Sequence, residues 1–438
     1  MNDYLVKFMS IIRRYFDPIR SGWYHKKIKQ TTVEITPLTI YLRLDDPYSY
    51  LAVQLLKDID DILVEQMKPL QIVFSQTSSS PPSNMTLAEW QHYTLNDAKI
   101  LAKQHRFSYD DIPEIPSREA IEKVQLILEH SDLEGQEFFY LLEDVFHILW
   151  QQQSGKLEVL YQKAKQQLDH RQTAFRYTDQ PILTAYFSFA DREYHAIDGL
   201  LRLTRRLQQS HLLTAPPIFL INHIEWREHL IQGVEEIADI QALEPELDLY
   251  IALEDPMSWL ILAYLKEQSL EYYNIKLNIY PIHYQAKDEF DWSLAYRVSK
   301  RTRVDFAPFC RPTETATLQM AKLFYSVPEE KRVMALFYIL QAVWTQGKDL
   351  SYAKHFKQVQ ESLGLTELVT QDVYSLLNAN TQAYKATHQP DLPVLKLRID
   401  HEEYVFNSLY RIWLIESIFS NVLERRYKIE QEESEHTT

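Results

Sequence analysis

Thr36-Pro-Leu-Thr-Ile-Tyr-Leu-Arg-Leu-Asp45-Asp46-Pro47-Tyr48-Ser49-Tyr50-Leu51 carries a short β-rich run into an acidic pair, a proline and apolar residues at helical period. Asp248-Leu-Tyr-Ile-Ala-Leu253-Glu254-Asp255-Pro256-Met257-Ser258-Trp259-Leu260 does the same, and Asp46 and Asp255 lie 209 residues apart. Further matches keep the order. Leu95, Ala98 and Lys103 before Phe107 and Tyr109 correspond to Trp292, Ala295 and Lys300 before Val304 and Phe306. Phe146 to Trp150 followed by Gly155-Lys156 corresponds to Leu340 to Trp344 followed by Gly347-Lys348, each glycine standing where a helix C-cap would. Leu183-Thr184 through Asp191 aligns without gaps on Leu392-Pro393 through Asp400, and the offset returns to 209. A shared offset at both ends with a shifted helical middle is what a duplicated domain with a variable helical insertion would show.

Each half therefore reads as strand, helix, strand, a long helical stretch, two strands and a closing helix. Strands are expected at Leu70–Phe74, Thr184–Ala190 and Glu193–Ile197 in the first half, and near Lys276–Tyr280 and over 393–406 in the second. Helices are expected over 87–168, from Leu200 to Gln208, and over 290–385, with a Ser/Pro-rich loop from Ser78 to Asn84. The expected organisation is a basic helical extension at 1–36, a first domain at 37–209, a helical linker at 210–246, a second domain at 247–428 and a frayed acidic tail at 429–438.

Composition narrows the chemistry. The 438 residues include one cysteine, Cys310, and seven glycines. One thiol makes no internal disulfide, dithiol centre or cysteine zinc site. Gly347 and Gly364, the nearest pair, are 17 apart, so the phosphate-cradling glycine loops and the Gly-x-Ser-x-Gly elbow are absent. Net charge −15 argues against a general nucleic-acid partner. The first 30 residues are an exception at a local +5, and Phe8, Ile11, Ile12, Tyr15 and Phe16 beside Lys7, Arg13 and Arg14 suit a helix docked on its own domain or laid on a membrane surface. No secretory signal or spanning run is legible, which points to a cytoplasmic protein. Cys310 beside Arg311, with Arg301 and Arg303 near, reads as a buried small hydrophobe or as an activated thiol. The His223–His229 cluster lacks zinc-helix spacing, so no metal site is expected. Phe138, Phe139 and Tyr140 near Phe146 and Trp150 suit core packing before a ligand pocket.

The chain resembles the DsbA-like branch of the thioredoxin fold, especially 2-hydroxychromene-2-carboxylate isomerases and kappa-class glutathione transferases. The resemblance rests on Asp46-Pro-Tyr-Ser49, Asp255-Pro-Met-Ser258, Trp344-Thr-Gln-Gly-Lys-Asp-Leu350 and Pro393, and covers roughly residues 37–205 and 247–425. It implies an α/β fold of two tandem thioredoxin-like, DsbA-type domains with large all-helical insertions, packed as an intrachain pseudo-dimer. It also implies reactive-turn positions at Asp46, Ser49, Asp255 and Ser258, and ligand-binding positions at Tyr48, Met257, Thr184, Trp344 and a cis Pro393. Glutathione is the cofactor it would suggest, and a small molecule or an extended peptide the ligand.

The departures matter as much. Both halves carry aspartate first where the family has cysteine or serine. An Asp-Pro pair is an N-cap acceptor followed by an N1 residue without an N–H, and needs no function to explain it. The helix dipole predicts an ionised carboxylate, unable to donate and repelling a glutathione thiolate, though able to hold a cationic group. Two functions follow: a silent binding protein with its ligand edge at Pro393, or a glutathione-linked isomerase or transferase acting on a small aromatic substrate.

Overall fold

The structure, a computed structural model, describes residues 36–75, 80–82, 85–109, 114–131, 133, 135–166, 176–190, 192–195, 197–217, 237–268, 270–283, 292–308, 310–407 and 411–436. Packing divides them into two units, 36–217 and 237–436. The basic amino-terminal segment and the His223–His229 stretch lie outside the described residues.

In the first unit, β1 (Thr39–Leu42) leads into α1 (Pro47–Val53), α2 (Leu56–Ile62) and β2 (Gln71–Ser75). Four helices follow: α3 (Leu87–His105), α4 (Arg118–Glu129), α5 (Gly135–Trp150) and α6 (Ser154–Gln166). The chain returns as β3 (Arg176–Thr178), β4 (Tyr186–Phe189), β5 (Arg192–His195) and α7 (Leu200–Gln209). The sheet order is β3-β2-β1-β4-β5, with β1, β2 and β3 parallel and β4 and β5 antiparallel. Strand β1 alternates: Ile40 and Leu42 are buried in the core with Phe187 and Phe189, while Tyr41 on the other face stacks on Tyr186 at 4.6 Å. Strand β3 was not expected, because three residues are too few to show a period.

In the second unit, α8 (Ile237–Ala242) precedes β6 (Glu246–Ala252), α9 (Pro256–Glu267) and β7 (Lys276–Ile282). The helices α10 (Trp292–Thr302), α11 (Glu314–Tyr325), α12 (Arg332–Trp344), α13 (Ala353–Ser362) and α14 (Val373–Lys385) come next. Then follow β8 (Val394–Ile399), β9 (Glu402–Asn407) and α15 (Leu414–His436). The sheet order is β7-β6-β8-β9, parallel between β6 and β7 and antiparallel elsewhere. Strand β6 is buried from Leu247 to Ala252 and sits between two others, as its nearly unbroken apolar run requires. Helix α15 continues to His436, so the carboxyl-terminal stretch expected to fray from Glu430 stays helical nearly to its end.

Local chemistry sets the helix starts. Thr86 and Glu89 form a reciprocal capping box at α3, while Ser117, Thr313 and Asp372 cap α4, α11 and α14. At the two helix ends matched between the halves of the sequence, only one glycine does the expected work. Gly347 turns left-handed at φ +67° after α12, but after α5 the left-handed residue is Gln152, at φ +52°. Gly155 sits instead in the first turn of α6. Gln152 N–H donates to Leu149 O at 3.2 Å and Gln153 N–H to Ile148 O at 3.0 Å, closing α5 three residues before the glycine.

Candidate functional site

Both acidic turns form at the carboxyl end of the first strand of their unit. Asp46 caps α1, its Oδ2 accepting from Ser49 N–H at 2.9 Å, the Ser49 hydroxyl at 2.7 Å and Ala185 N–H at 2.8 Å. The Ser49 hydroxyl accepts in turn from Arg43 N–H at 2.9 Å. Asp255 caps α9: Oδ1 accepts from Met257 N–H at 3.1 Å, and Oδ2 from Ser258 N–H at 3.2 Å and its hydroxyl at 3.1 Å. Ser258 Oγ accepts from Ala252 N–H at 3.2 Å. The serine in each turn bridges the carboxylate to the end of the preceding strand.

The two carboxyls shift in the direction opposite to the one the helix dipole favours. Asp46 and Asp255 are only 3% and 7% exposed. Burial pushes the Asp46 carboxyl above its ordinary range, against the opposing Arg43 charge and the Ser49 and Ala185 hydrogen bonds. Burial likewise pushes Asp255 up to about 6, against its bonds from Met257 and Ser258. Desolvation penalises the charged form more than the capping amides favour it.

The acid preceding each of these differs between units. Asp45 is partly exposed and takes a two-pronged ion pair from Arg43, Nε to Oδ1 at 2.9 Å and Nη2 to Oδ2 at 2.7 Å. Arg43 Nη1 also donates to Ile182 O at 3.1 Å and Leu183 O at 3.2 Å. Ala252 stands where a counterpart of Arg43 would be, 209 residues on. Glu254 is buried, its Oε2 has no hydrogen-bond partner, and burial pushes it up to about 8, with Asp255 adding to the shift and Arg311 opposing it. Burial therefore favours the protonated, donor form of Glu254, while Asp255 beside it is the more acidic of the two.

The expected ligand positions are occupied or enclosed. Tyr48 is half-buried and its hydroxyl donates to Asp97 Oδ2 at 2.7 Å. Thr184 is half-buried, with Oγ1 3.5 Å from His195 Nδ1, and its neighbour Ala185 is the residue drawn to Asp46. Met257 and Pro393 are buried, and the Leu392–Pro393 bond is cis. Asp391, two residues earlier, lies near enough to add to the upward push on Asp255. Trp344 is fully buried, its ring centroid 6.2 Å from both Trp292 and Phe306, and its Nε1 has no hydrogen-bond partner. Around Asp46 the space is filled by aromatics: Tyr50 lies 5.9 Å from Tyr109 and 6.0 Å from Trp150, and its hydroxyl is 3.0 Å from His147 Nδ1. Burial, with the Asp46 charge second, raises the Tyr109 phenol. Cys310 is buried with its thiol free of any disulfide.

Two features were not found by reading the residues: the contrast between Asp45 and Glu254, and a cavity of about 430 Å³ in the first unit. Pro37, Leu70, Gln71 and Ile72 line that cavity, at the amino ends of β1 and β2, so it lies at the opposite end of β1 from Asp46. Residues distant in the chain form it, and no periodicity reports such a gathering. Of the aromatics assigned to the core, Phe139 is buried, Phe138 half-buried at the cavity and Tyr140 exposed. Among the described residues no three His, Cys, Asp or Glu side chains gather as a metal site, and no helix is long and apolar enough to cross a membrane.

No protein-family model matches the chain, and no curated protein matches it. Solved structures do. A 2-hydroxychromene-2-carboxylate isomerase is similar at 15% identity and TM-score 0.32, over 42% of this chain and 98% of its own. A putative protein disulfide isomerase from Nitrosomonas europaea is similar at 17% identity and TM-score 0.33, over 42% and 98%. The cytosolic disulfide reductase DsbM from Pseudomonas aeruginosa is similar at 13% identity and TM-score 0.27, over 42% and 99%. These neighbours are DsbA-like thioredoxin-fold proteins.

Proposed function

We propose that the chain consists of two divergent copies of one thioredoxin-like, DsbA-type domain with helical insertions, and that it is a binding protein whose two reactive turns have become structural clasps. The duplication is supported by hydrogen bonds as well as letters. At the offset of 209, Asp46 and Asp255 cap equivalent helices, and Ser49 and Ser258 join carboxylate to strand through the same atoms.

The observation that carries the silent reading is the saturation of these groups. The hydroxyls of Ser49 and Ser258, both fully buried, each donate to an aspartate and accept a backbone N–H, and neither turn holds a thiol. A nucleophile or a thiolate-binding donor needs an open face, and neither serine has one. Thiol–disulfide chemistry at these turns is excluded by residue type, since it begins with a thiolate.

Glu254 favours a second reading, a glutathione-linked isomerase or transferase confined to the second unit. A carboxyl beside Asp255 whose proton burial favours and whose Oε2 has no hydrogen-bond partner could donate to a thiolate as the family's serine would. Thermal unfolding of the whole protein in millimolar reduced glutathione, beside the Glu254→Gln and Asp255→Ser variants, separates the two. The silent reading expects no shift in any of the three. A concentration-dependent rise in the wild-type protein that Glu254→Gln alters would establish the second reading and overturn the first.

A further inference from the structure

We propose that the cavity at the amino ends of β1 and β2 in the first unit binds a monocarboxylate with an apolar body. Its volume of about 430 Å³ falls in the roughly 300–1,000 Å³ range of small-molecule sites. Its lining carries two chemistries. Ile72 of β2 and Phe138 and Phe139 of α5 are apolar, while Gln66, Lys68, Gln71 and Arg176 are polar.

The polar side is cationic. Lys68 is half-buried three residues before Gln71, and Arg176 opens β3, paired across from Val73 of β2, so both cations flank Gln71. Arg176 Nη1 donates to Gln71 Oε1 at 3.3 Å. Among the described residues no acidic side chain lines the cavity and neither cation has an acidic partner. In a chain of net charge −15, two cations so placed at the rim of an apolar hollow favour an anion there.

A carboxylate fits better than a dianion. The guanidinium fork matches two coplanar oxygens, and a single charge costs less to desolvate against an apolar wall. The apolar wall requires a body that gains by leaving water, which a small inorganic anion lacks. The site is at the far end of β1 from the Asp46 clasp, so it stands whichever way the glutathione question resolves.

The test is isothermal titration of the full chain with two acid and alcohol pairs, decanoate with decanol and 2-naphthoate with 2-naphthol. Each acid is expected to bind about ten-fold or more tightly than its alcohol, and the tighter acid tells whether the body is linear or aromatic. The double variant Lys68→Gln/Arg176→Gln is expected to bring the acid down to the alcohol's affinity. Ile72→Trp, which fills the hollow, is expected to abolish both. If Ile72→Trp unfolds, the charge variant alone decides, with circular dichroism confirming its fold. No binding of either acid at millimolar concentration, or equal acid affinity in the charge variant, would overturn the proposal.

Discussion

Asp46 Oδ2 accepts the backbone N–H of Ala185 at 2.8 Å, tying the first turn of α1 to the start of β4 across 139 residues of sequence. The bond turns a position that reads as reactive into a tertiary fastener. In the second unit Pro393 takes the place of Thr184, and the carboxylate of Asp255 is satisfied within its own helix start.

The serines should matter to stability as much as the acids. Ser258→Ala leaves the Ala252 N–H without its acceptor and Asp255 short of one donor, in a site with no access to water. A loss of about 1–3 kcal/mol is expected in urea unfolding, and the same for Ser49→Ala. Variants as stable as wild type would show that the bridging hydroxyls do not hold the turns.

Acidity offers a separate handle. Burial pushes Asp255 to about 6 and Glu254 to about 8. A carboxyl whose folded pKa exceeds its unfolded value stabilises the fold while protonated. That contribution is complete below the unfolded pKa and is lost as pH rises through the folded one. Stability of the second unit should therefore fall as pH rises from about 4 to 8. Glu254→Gln, a neutral isostere, should flatten the upper part of this fall and stabilise at pH 8 relative to wild type by on the order of 1–3 kcal/mol. Parallel curves for the two proteins would contradict the upward push of burial on Glu254.

Two glycines that align between the two halves of the sequence should behave oppositely. Gly347→Ala forces a Cβ into a left-handed backbone at φ +67° and should cost about 1–2 kcal/mol. Gly155→Ala lies in the first turn of α6 with no atom within 4 Å of the new Cβ, and should be neutral or stabilise by up to about 1 kcal/mol. Melting temperatures of the pair check this, and equal destabilisation would refute it.

The order of elements was legible because the Asp-Pro turns and the apolar runs are local signals. Asp46, Ser49, Asp255 and Ser258 were found for the same reason. The direction of their pKa shift was not. A helix dipole can be inferred from spacing, but the burial that outweighs it is a product of tertiary packing, which leaves Asp46 3% and Asp255 7% exposed. Glu254 escaped notice because its distinction lies in its burial and in the Ala252 that stands where the first half has Arg43. The cavity needed Phe138, Gln71 and Arg176 brought together from three elements. Gly155 misled because Gln152 accepts the left-handed turn earlier.

The most direct test of the clasp is urea unfolding of Asp46→Ala beside Asp46→Asn at one pH. Alanine leaves the Ala185 N–H and the Ser49 hydroxyl proton buried without their acceptor and the Ser49 N–H with only the backbone carbonyl of residue 46, whereas asparagine keeps an acceptor and a good cap. The expected result is a loss of about 2–4 kcal/mol for alanine and less than half of that for asparagine. An alanine variant as stable as wild type would contradict the claim that this aspartate is a structural clasp.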